Sequence, residues 1–190
     1  MKKNNQYTNN LILEVINNST GSRWEDAVNE WDITDCEEDI TSSSRCICGK
    51  ESIKYLFTIK NQTNQNILFP IGSSCIKKFD RDDLNSITKV KQDMFKLMHA
   101  LEKNQFIELT SEFFTKKLLL ELFKEGAFKP NKYNNYEAKK DYDFLLKMFN
   151  KKYKDEITEK QNKKINALIM CSIKPFLLKK LKTNSKKINK

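Results

Sequence analysis

Three of the five cysteines in this 190-residue chain lie close together, in the stretch CICGKESIKYLFTIKNQTNQNILFPIGSSCIKKF. Cys46 and Cys48 flank one residue and precede Gly49, which accepts the positive φ of a sharp turn without strain. Cys75 follows Gly-Ser-Ser, which is typical of the start of a helix. Zinc binds four ligands in a tetrahedron, mostly thiolates and imidazoles. The order of turn, hairpin and helix-borne thiol therefore predicts a zinc site at Cys46, Cys48 and Cys75, rather than three separate core cysteines.

The fourth ligand of that zinc has four candidates: His99, Cys36, Cys171 and a water molecule. His99 is the only histidine in the chain and falls on a helix predicted after the last thiol. Three cysteines with one histidine form a common structural zinc set. Cys36 lies ten residues before the first ligand and could swing in. Cys171 lies among apolar residues and is interpreted as a core side chain. The sequence favours His99, with Cys36 as the alternative.

The zinc ligands need a scaffold, and two strand-like segments connect the cysteine turn to the last thiol. Ile53–Ile59 and Ile67–Ile71 are rich in β-branched and aromatic residues, and the polar turn NQTNQN between them predicts a β-hairpin. Residues 24–31 carry apolar side chains at helical spacing, and residues 10–17 form a short apolar segment that fits a helix or a strand. The acidic, serine-rich CEEDITSSSR is predicted to be a connection.

The remaining sequence is predicted to be helical, because apolar residues recur at spacings of three and four. The predicted helices are Asp82–Lys103, Thr110–Lys124, Tyr136–Lys152 and Thr158–Ser172. The last of them opens with a Thr-x-x-Gln capping box. The predicted fold class is α+β: a treble-clef-like zinc module with one β-hairpin, followed by a mostly helical bundle. Residues 1–81 would hold the N-terminal elements and the zinc module, and residues 82–190 a basic helical region packed on it as one compact unit.

Positive charge is concentrated towards the C-terminal end of the chain. The net charge is +10, and residues 145–190 carry 14 lysines and 3 acidic residues, so the other 144 residues sum to −1. Lysines neutralise phosphates and release counterions, which gives affinity for nucleic acid without sequence preference. Tyr133, Tyr136 and Tyr142 could stack on bases, unless they form part of the core. The lysines predicted to contact nucleic acid are Lys77, Lys78, Lys151, Lys152, Lys163, Lys164, Lys179 and Lys180.

Several classes of protein do not fit the sequence. No apolar run approaches the roughly 18 residues of a membrane span, and MKKNNQYTNN lacks the apolar core of a secretory signal. The expected location is the cytoplasm, where clustered cysteines bind metal rather than form disulfides. There is no H-E-x-x-H motif, and four scattered glycines make no phosphate loop. We therefore expect a protein that is not an enzyme and has no membrane partner.

Four short motifs resemble those of a known group of proteins. They are A-x-x-E-W at Ala27–Trp31, C-x-C-G at Cys46–Gly49, I-K-Y-x-F-x-I-x-N at Ile53–Asn61 and I-G-S-S-C-I-K-K-F at Ile71–Phe79. In this order they look like a family of small, mostly uncharacterised proteins of phages and low-GC bacteria. The resemblance covers the central third of the chain. It implies a zinc-bearing module of a mobile-element protein, and it brings no catalytic residue.

Two functions are consistent with these features. The first is a non-enzymatic, zinc-containing protein that binds DNA or RNA through a basic C-terminal helical surface. The second is a protein-binding module that engages or inhibits a host nucleoprotein complex, because an acidic or nucleic-acid-loaded partner would also select a basic tail. The first is our expectation and the second the alternative.

Overall fold

The chain divides into two compact units, Met1–Lys91 and Gln92–Lys190. The computed structural model describes residues 2–180. The first unit holds a three-stranded antiparallel sheet with helices, and the described residues of the second form helices and turns. The fold class is therefore α+β, as predicted. No helix among residues 2–180 is long and apolar enough to cross a bilayer.

The sheet of the first unit consists of three strands: β1 (Trp31–Glu38), β2 (Tyr55–Asn61) and β3 (Ile67–Gly72), in that spatial order. β2 and β3 form the predicted hairpin, and β1 pairs antiparallel with the other edge of β2. β1 was not predicted from the sequence, which indicated a helix over residues 24–31 and a connection over residues 36–45. A β-bulge between Ile33 and Asp35 shifts its register, and this interrupts the alternation by which a strand is recognised in sequence.

Three helices accompany the sheet: α1 (Lys2–Asn17), α2 (Trp24–Ala27) and α3 (Ser73–Ile76). Residues 10–17, for which the sequence fitted either a helix or a strand, belong to α1 and are therefore helical. α3 follows β3 without a loop, because Gly72 is at once the last residue of the strand and the N-cap of the helix. The predicted helix at Cys75 is therefore present, but it is only four residues long before it tightens into a 3₁₀ turn.

The core of the first unit is formed by side chains from α1, the sheet, α3 and the first half of the helix Asp82–Glu102. Trp31 is completely buried, and its indole N–H donates to Ser19 Oγ over 2.8 Å. Burying each large apolar side chain contributes about 1.5–3 kcal/mol to the stability of the unit. The other fully buried large side chains of this unit are Leu11, Phe57, Ile59, Ile71, Ile76 and Leu84.

The partly buried carboxylate of Glu30 holds the loop between α1 and α2 in place. Glu30 accepts hydrogen bonds from the backbone N–H of Thr20 and Gly21 and from the Asn61 side-chain amide, the last over 2.6 Å. Burial alone would raise the pKa of this carboxyl, but the donors outweigh it and lower the pKa of Glu30 to about 2. Glu30 therefore ties the loop to the end of β2 in its charged form.

The second unit begins within α4 (Asp82–Glu102), whose first half belongs to the first unit. The boundary lies ten residues beyond the predicted one, and the packing of the two parts as one compact unit stays a prediction. Three further helices follow: α5 (Lys116–Lys124), α6 (Ala138–Asn150) and α7 (Glu159–Leu168). α7 continues as a π-helical turn, Ile169–Ile173, and residues 174–180 are helical again.

All four predicted helices of this region exist, with some changed ends. α4 starts and α5 ends where predicted, α6 is two residues shorter at each end, and the helical segment that starts with α7 runs past the predicted end at Ser172. Thr115 caps α5, so the predicted start at Thr110 is wrong: residues 110–115 form turns in which Phe114 is buried. The capping box of Thr158 and Gln161 at α7 is confirmed. Residues such as Leu145 and Met148 on α6 are buried, as their helical spacing predicted.

α5 and α6 pack against each other in the second unit. The rings of Phe123 on α5 and Tyr142 on α6 stack with centroids 5.0 Å apart. We therefore assign Tyr142 to packing rather than to the predicted stacking on bases. The fully buried large side chains among the described residues of this unit include Leu97, Met98, Leu101, Phe114, Leu118, Leu119, Leu122, Leu145, Ile169, Ile173 and Leu177.

Candidate metal centre

The structure brings Cys46, Cys48 and Cys75 together, as predicted. The Cys46 and Cys75 sulfurs lie 3.7 Å apart and those of Cys75 and Cys48 3.5 Å apart, and all three lie within 4.8 Å of one another. All three residues are buried, with at most 4% of their surface exposed. The thiols are free, since a disulfide would need about 2.05 Å between sulfurs. This cluster could hold a metal ion.

A tight turn aims the first two thiols at one point. The Gly49 N–H donates to the Cys46 carbonyl and the Cys46 N–H to the Lys50 carbonyl, both over 2.8 Å. Gly49 has a φ of +91°, a conformation that a side chain would strain. The predicted reason for a glycine at this position is therefore confirmed. We call residues 46–49 the cysteine turn.

The cysteine turn is fastened to the strand that leads to the third thiol. The Ile47 N–H donates to the Pro70 carbonyl over 3.0 Å, and the Gly72 N–H points at the Cys46 sulfur over 3.3 Å. Cys75 then comes one helical turn later, on α3. The end of β3 and the start of α3 thus carry the third sulfur to the first two.

The close spacing of the three sulfurs shifts the pKa values of their thiols. The hydrogen bond from Cys75 and the N–H of Gly72 lower the pKa of Cys46 to about 5, although burial opposes this. The same contact raises the pKa of Cys75, and burial raises the pKa of Cys48. Like charges this close repel, so ionisation of one thiol opposes ionisation of its neighbours. A bound cation would remove that repulsion and favour the thiolate form of all three.

The remaining cysteines and the histidine lie elsewhere. The sulfur of Cys36, on β1, faces the Glu37 carbonyl at 3.8 Å, and its burial raises the pKa of the thiol. Cys36 is not part of the three-thiol cluster. His99 lies in the second unit, on α4, with Nδ1 3.5 Å from the Glu102 carboxylate. Its role as fourth ligand stays a prediction.

Cys171 departs from its interpretation as a core residue. Its side chain is exposed, in the π-helical turn that follows α7. The neighbouring Ile169 and Ile173 are completely buried, so the apolar surroundings in sequence belong to the opposite side of the helix. That interpretation is therefore wrong.

Two further residues support the cluster. The Asn10 side-chain amide, on α1, donates to the Cys48 carbonyl over 3.0 Å. Gly72 donates to the Cys46 sulfur, and a Cβ at Gly72 would be crowded, since it would lie 3.2 Å from the Ile53 side chain. The Gly-Ser-Ser-Cys motif gave a signal for Gly72, whereas nothing in sequence links Asn10 to a turn 38 residues away.

The predicted nucleic-acid lysines fall in both units and differ in their partners. In the first unit, Lys77 is exposed, and Lys78 Nζ contacts Thr8 Oγ1. In the second unit, Lys152, Lys163 and Lys179 are exposed. The last ten residues, which hold four of the 14 lysines counted from residue 145, lie outside the described residues.

Three other predicted lysines bind carboxylates of this chain. Lys164 Nζ lies 3.3 Å from Asp141, whose side chain is only 4% exposed. Lys180 Nζ lies 2.6 Å from Glu125, and Lys151 Nζ lies 3.5 Å from Glu156. Their first contribution is therefore structural.

No family model, curated protein or solved structure matches the chain. The resemblance to phage and low-GC bacterial proteins accordingly stays a prediction.

Proposed function

We propose that this protein is a non-enzymatic, zinc-containing protein that binds nucleic acid through the basic helical surface of its C-terminal part. The buried cluster of three thiols is the observation that supports zinc most directly. The charge distribution and a set of exposed aromatic rings support nucleic acid.

The spacing of the sulfurs supports zinc over ordinary packing of cysteines. Sulfurs bound to zinc at about 2.3 Å in a tetrahedron lie about 3.8 Å apart. The spacings of 3.5 and 3.7 Å within the cluster are close to that value. Thiolate ligands also select soft metals such as zinc over magnesium or calcium.

The order of elements supports a treble-clef-like arrangement around the zinc. The cysteine turn supplies two ligands, β2 and β3 form the hairpin, and α3 supplies Cys75 in its first turn. His99 is the fourth ligand in this proposal, and Cys36 is the alternative. Cys36, on β1, does not belong to the three-thiol cluster, and this weakens that alternative.

Exposed tyrosines beside lysines support the binding of nucleic acid. Tyr133 and Tyr153 are 81% and 55% exposed, and Lys132 and Lys152 lie over their rings at 5.1 and 5.3 Å. A tyrosine that stays exposed gains little for the fold, whereas a base can stack on it while the lysine meets phosphate. The surface carries aromatic and cationic groups side by side.

The lysines of this surface have unequal access to phosphate. Lys163 pairs with Glu159 in an ion pair whose side chains are both more than three-quarters exposed, and such pairs contribute little, so phosphate can compete for the lysine. Lys152 and Lys179 are also exposed. We therefore assign phosphate contacts to Lys152, Lys163 and Lys179 first.

The salt dependence of binding tests this proposal. If about five lysines contact phosphate, the logarithm of the association constant for duplex DNA falls with log salt with a slope of about −4 to −5. Replacing Lys152, Lys163 and Lys179 with Gln should make this slope shallower by about 2 to 3. The matched control replaces Lys50, Lys103 and Lys116, three exposed lysines outside residues 145–190, and should leave the slope nearly unchanged.

Binding that ignores salt, or equal effects of the two triple variants, would contradict the proposal. The alternative of a protein-binding module would then be preferred. Retention of one protein partner after nuclease treatment would support that alternative.

A further inference from the structure

A large cleft opens on the second unit. All the residues that line it come later in the chain than the three clustered cysteines. It has a volume of about 1060 Å³. One wall is the loop after α5, and the other is the end of α7 with the π-helical turn and the helical residues behind it. Sites for small organic ligands have volumes of about 300–1,000 Å³, so the cleft is large enough for a sizeable ligand.

The lining of the cleft joins apolar surface with positive charge. Ala127, Leu168, Pro175 and Phe176 are among its apolar residues. Its charged lining residues are four lysines and one acid: Lys129, Lys164, Lys179, Lys180 and Asp141. The complementary ligand therefore has a flat or apolar part and a negative charge.

The loop that forms the first wall is firmly held. The side chains of Asn131 and Asn134 cap the turn between them reciprocally. The Asn134 amide also donates to the buried Asp141 carboxylate over 2.7 Å, and Lys164 from α7 meets the other oxygen of that carboxylate. This fixed loop presents Tyr133, which is 81% exposed, at the rim of the cleft.

Unusual backbone lies in one wall and next to the other. The π-helical turn Ile169–Ile173 contributes Cys171 and Ser172 to the lining. Asn135 and Tyr136 follow the lining residue Tyr133 in the chain, and their φ values of +55° and +60° cost non-glycine residues free energy. π-Helical turns are frequent at functional sites, and this one lines the cleft.

We propose that this cleft accepts an unpaired nucleotide of a single strand. The base would lie on the apolar wall beside the ring of Tyr133, and its phosphate would meet the exposed Lys129 and Lys179. Lys164 and Lys180, which bind Asp141 and Glu125 of this chain, line the same cleft. Because paired bases hide their faces within a duplex, the cleft discriminates in favour of single strands. This inference rests on the proposed binding of nucleic acid and adds the form of nucleic acid preferred.

Filling the cleft provides the test. Ala167 lines the cleft on α7 and is exposed, so Ala167→Trp adds a ring there without entering the core. Asn166→Trp places the same ring on a neighbouring exposed position that does not line the cleft and is the matched control. Fluorescence anisotropy with the full-length protein would measure binding of a labelled mixed-sequence DNA strand and of its duplex at the same salt concentration.

We expect the wild type and Asn166→Trp to bind the single strand more tightly than the duplex. Ala167→Trp should weaken single-strand binding about tenfold, since stacking of one base is worth about 1–3 kcal/mol. Its duplex binding should not change. Tyr133→Ala, at an exposed side chain, is the second variant if Ala167→Trp does not fold, and should weaken single-strand binding several-fold.

Three outcomes would overturn the inference, and they separate it from the proposed function. If the wild type binds strand and duplex equally and both cleft variants bind like the wild type, the cleft proposal fails while the proposed function stands. If the wild type binds neither form, the proposed function fails as well. If dodecanoate binds the protein, Ala167→Trp abolishes that binding and the DNA strand does not compete, the cleft belongs to an anionic amphiphile instead.

Discussion

At the scale of single residues, the sulfurs of Cys46, Cys48 and Cys75 lie closer together than the packing of a hydrophobic core requires. A buried cysteine behaves as a small apolar side chain and needs no second thiol beside it. Here the Cys46 and Cys75 sulfurs lie next to each other, and the backbone N–H of Gly72 donates a hydrogen bond to the Cys46 sulfur rather than to an oxygen. Such an arrangement stabilises negative charge on sulfur. A cation could bind between the three sulfurs.

The identity of the fourth ligand is tested by two substitutions. We expect His99→Ala to weaken zinc binding strongly, because it would remove one of four ligands. Cys36→Ser should leave zinc affinity nearly unchanged, although it costs some stability at a buried position on β1. Competition with a chromophoric zinc chelator measures both affinities. The reverse order of effects would assign the role to Cys36.

Glu30 gives a pH-dependent prediction for the first unit. Its pKa is about 2 in the folded protein and about 4.3 in an unfolded chain, so its carboxylate stabilises the fold fully above the unfolded value. That contribution is lost as the pH falls from about 4.5 towards 2. Glu30→Gln should cost about 1 kcal/mol at pH 7, and the difference from wild type should shrink over this range.

Urea denaturation at several pH values measures that difference. Loss of any metal at low pH affects both proteins and cancels in the comparison. A cost for Glu30→Gln that stays constant down to pH 2 would contradict the assignment of the charged form.

At the scale of elements, the sequence predicted the parts whose residues act locally. The cysteine turn was predictable because Gly49 directly follows Cys48, and the hairpin because β2 and β3 are flanked by turn residues. β1 was missed, since its bulge interrupts the alternation of buried and exposed residues. The start of α5 was placed too early, because only the tertiary burial of Phe114 distinguishes a turn there from a helix. Long-range supports such as Asn10 leave no trace in local spacing.

The tie between α6, α7 and the loop before α6 rests on one buried carboxylate, and its removal should destabilise the second unit. Asp141→Ala would leave the Asn134 amide and the Lys164 ammonium without this acceptor. We expect a cost of about 2 kcal/mol, since unpaired buried polar groups are expensive and Lys164 is partly hydrated. Asp143→Ala, at an exposed position of the same helix, is the control and should change stability by less than about 0.5 kcal/mol. Equal costs in urea denaturation would contradict this role.

At the scale of the whole molecule, the two candidate sites lie in different units. The first unit carries the cysteine cluster, and the second carries most of the predicted phosphate contacts and the cleft. The net charge of +11 from residue 145 onwards against −1 elsewhere follows the same division. The nucleic-acid role could be suggested from that charge, but the partners of individual lysines could not, because ion pairs such as Lys180 with Glu125 join residues 55 positions apart.

Removal of zinc should therefore have a regional effect. Structural zinc contributes its binding free energy to folding. We expect a chelator to abolish amide hydrogen-exchange protection in β2, β3 and α3 and, because α4 carries the proposed ligand His99 in its second-unit half, to lower it there as well, while α5 and α6 stay protected. Exchange followed by mass spectrometry with and without the chelator measures this. Loss in both units would agree with His99 as a ligand, and unchanged protection everywhere would contradict a structural metal.

The most direct test of the zinc site is the zinc X-ray absorption spectrum of the purified full-length protein, with its metal content. We predict one zinc per chain with three sulfur neighbours at about 2.3 Å. Cys48→Ser should lose the zinc, and Cys171→Ser, at an exposed thiol outside the cluster, should keep it. A folded protein that contains no metal, or a zinc without sulfur neighbours, would contradict the assignment of Cys46, Cys48 and Cys75 as its ligands.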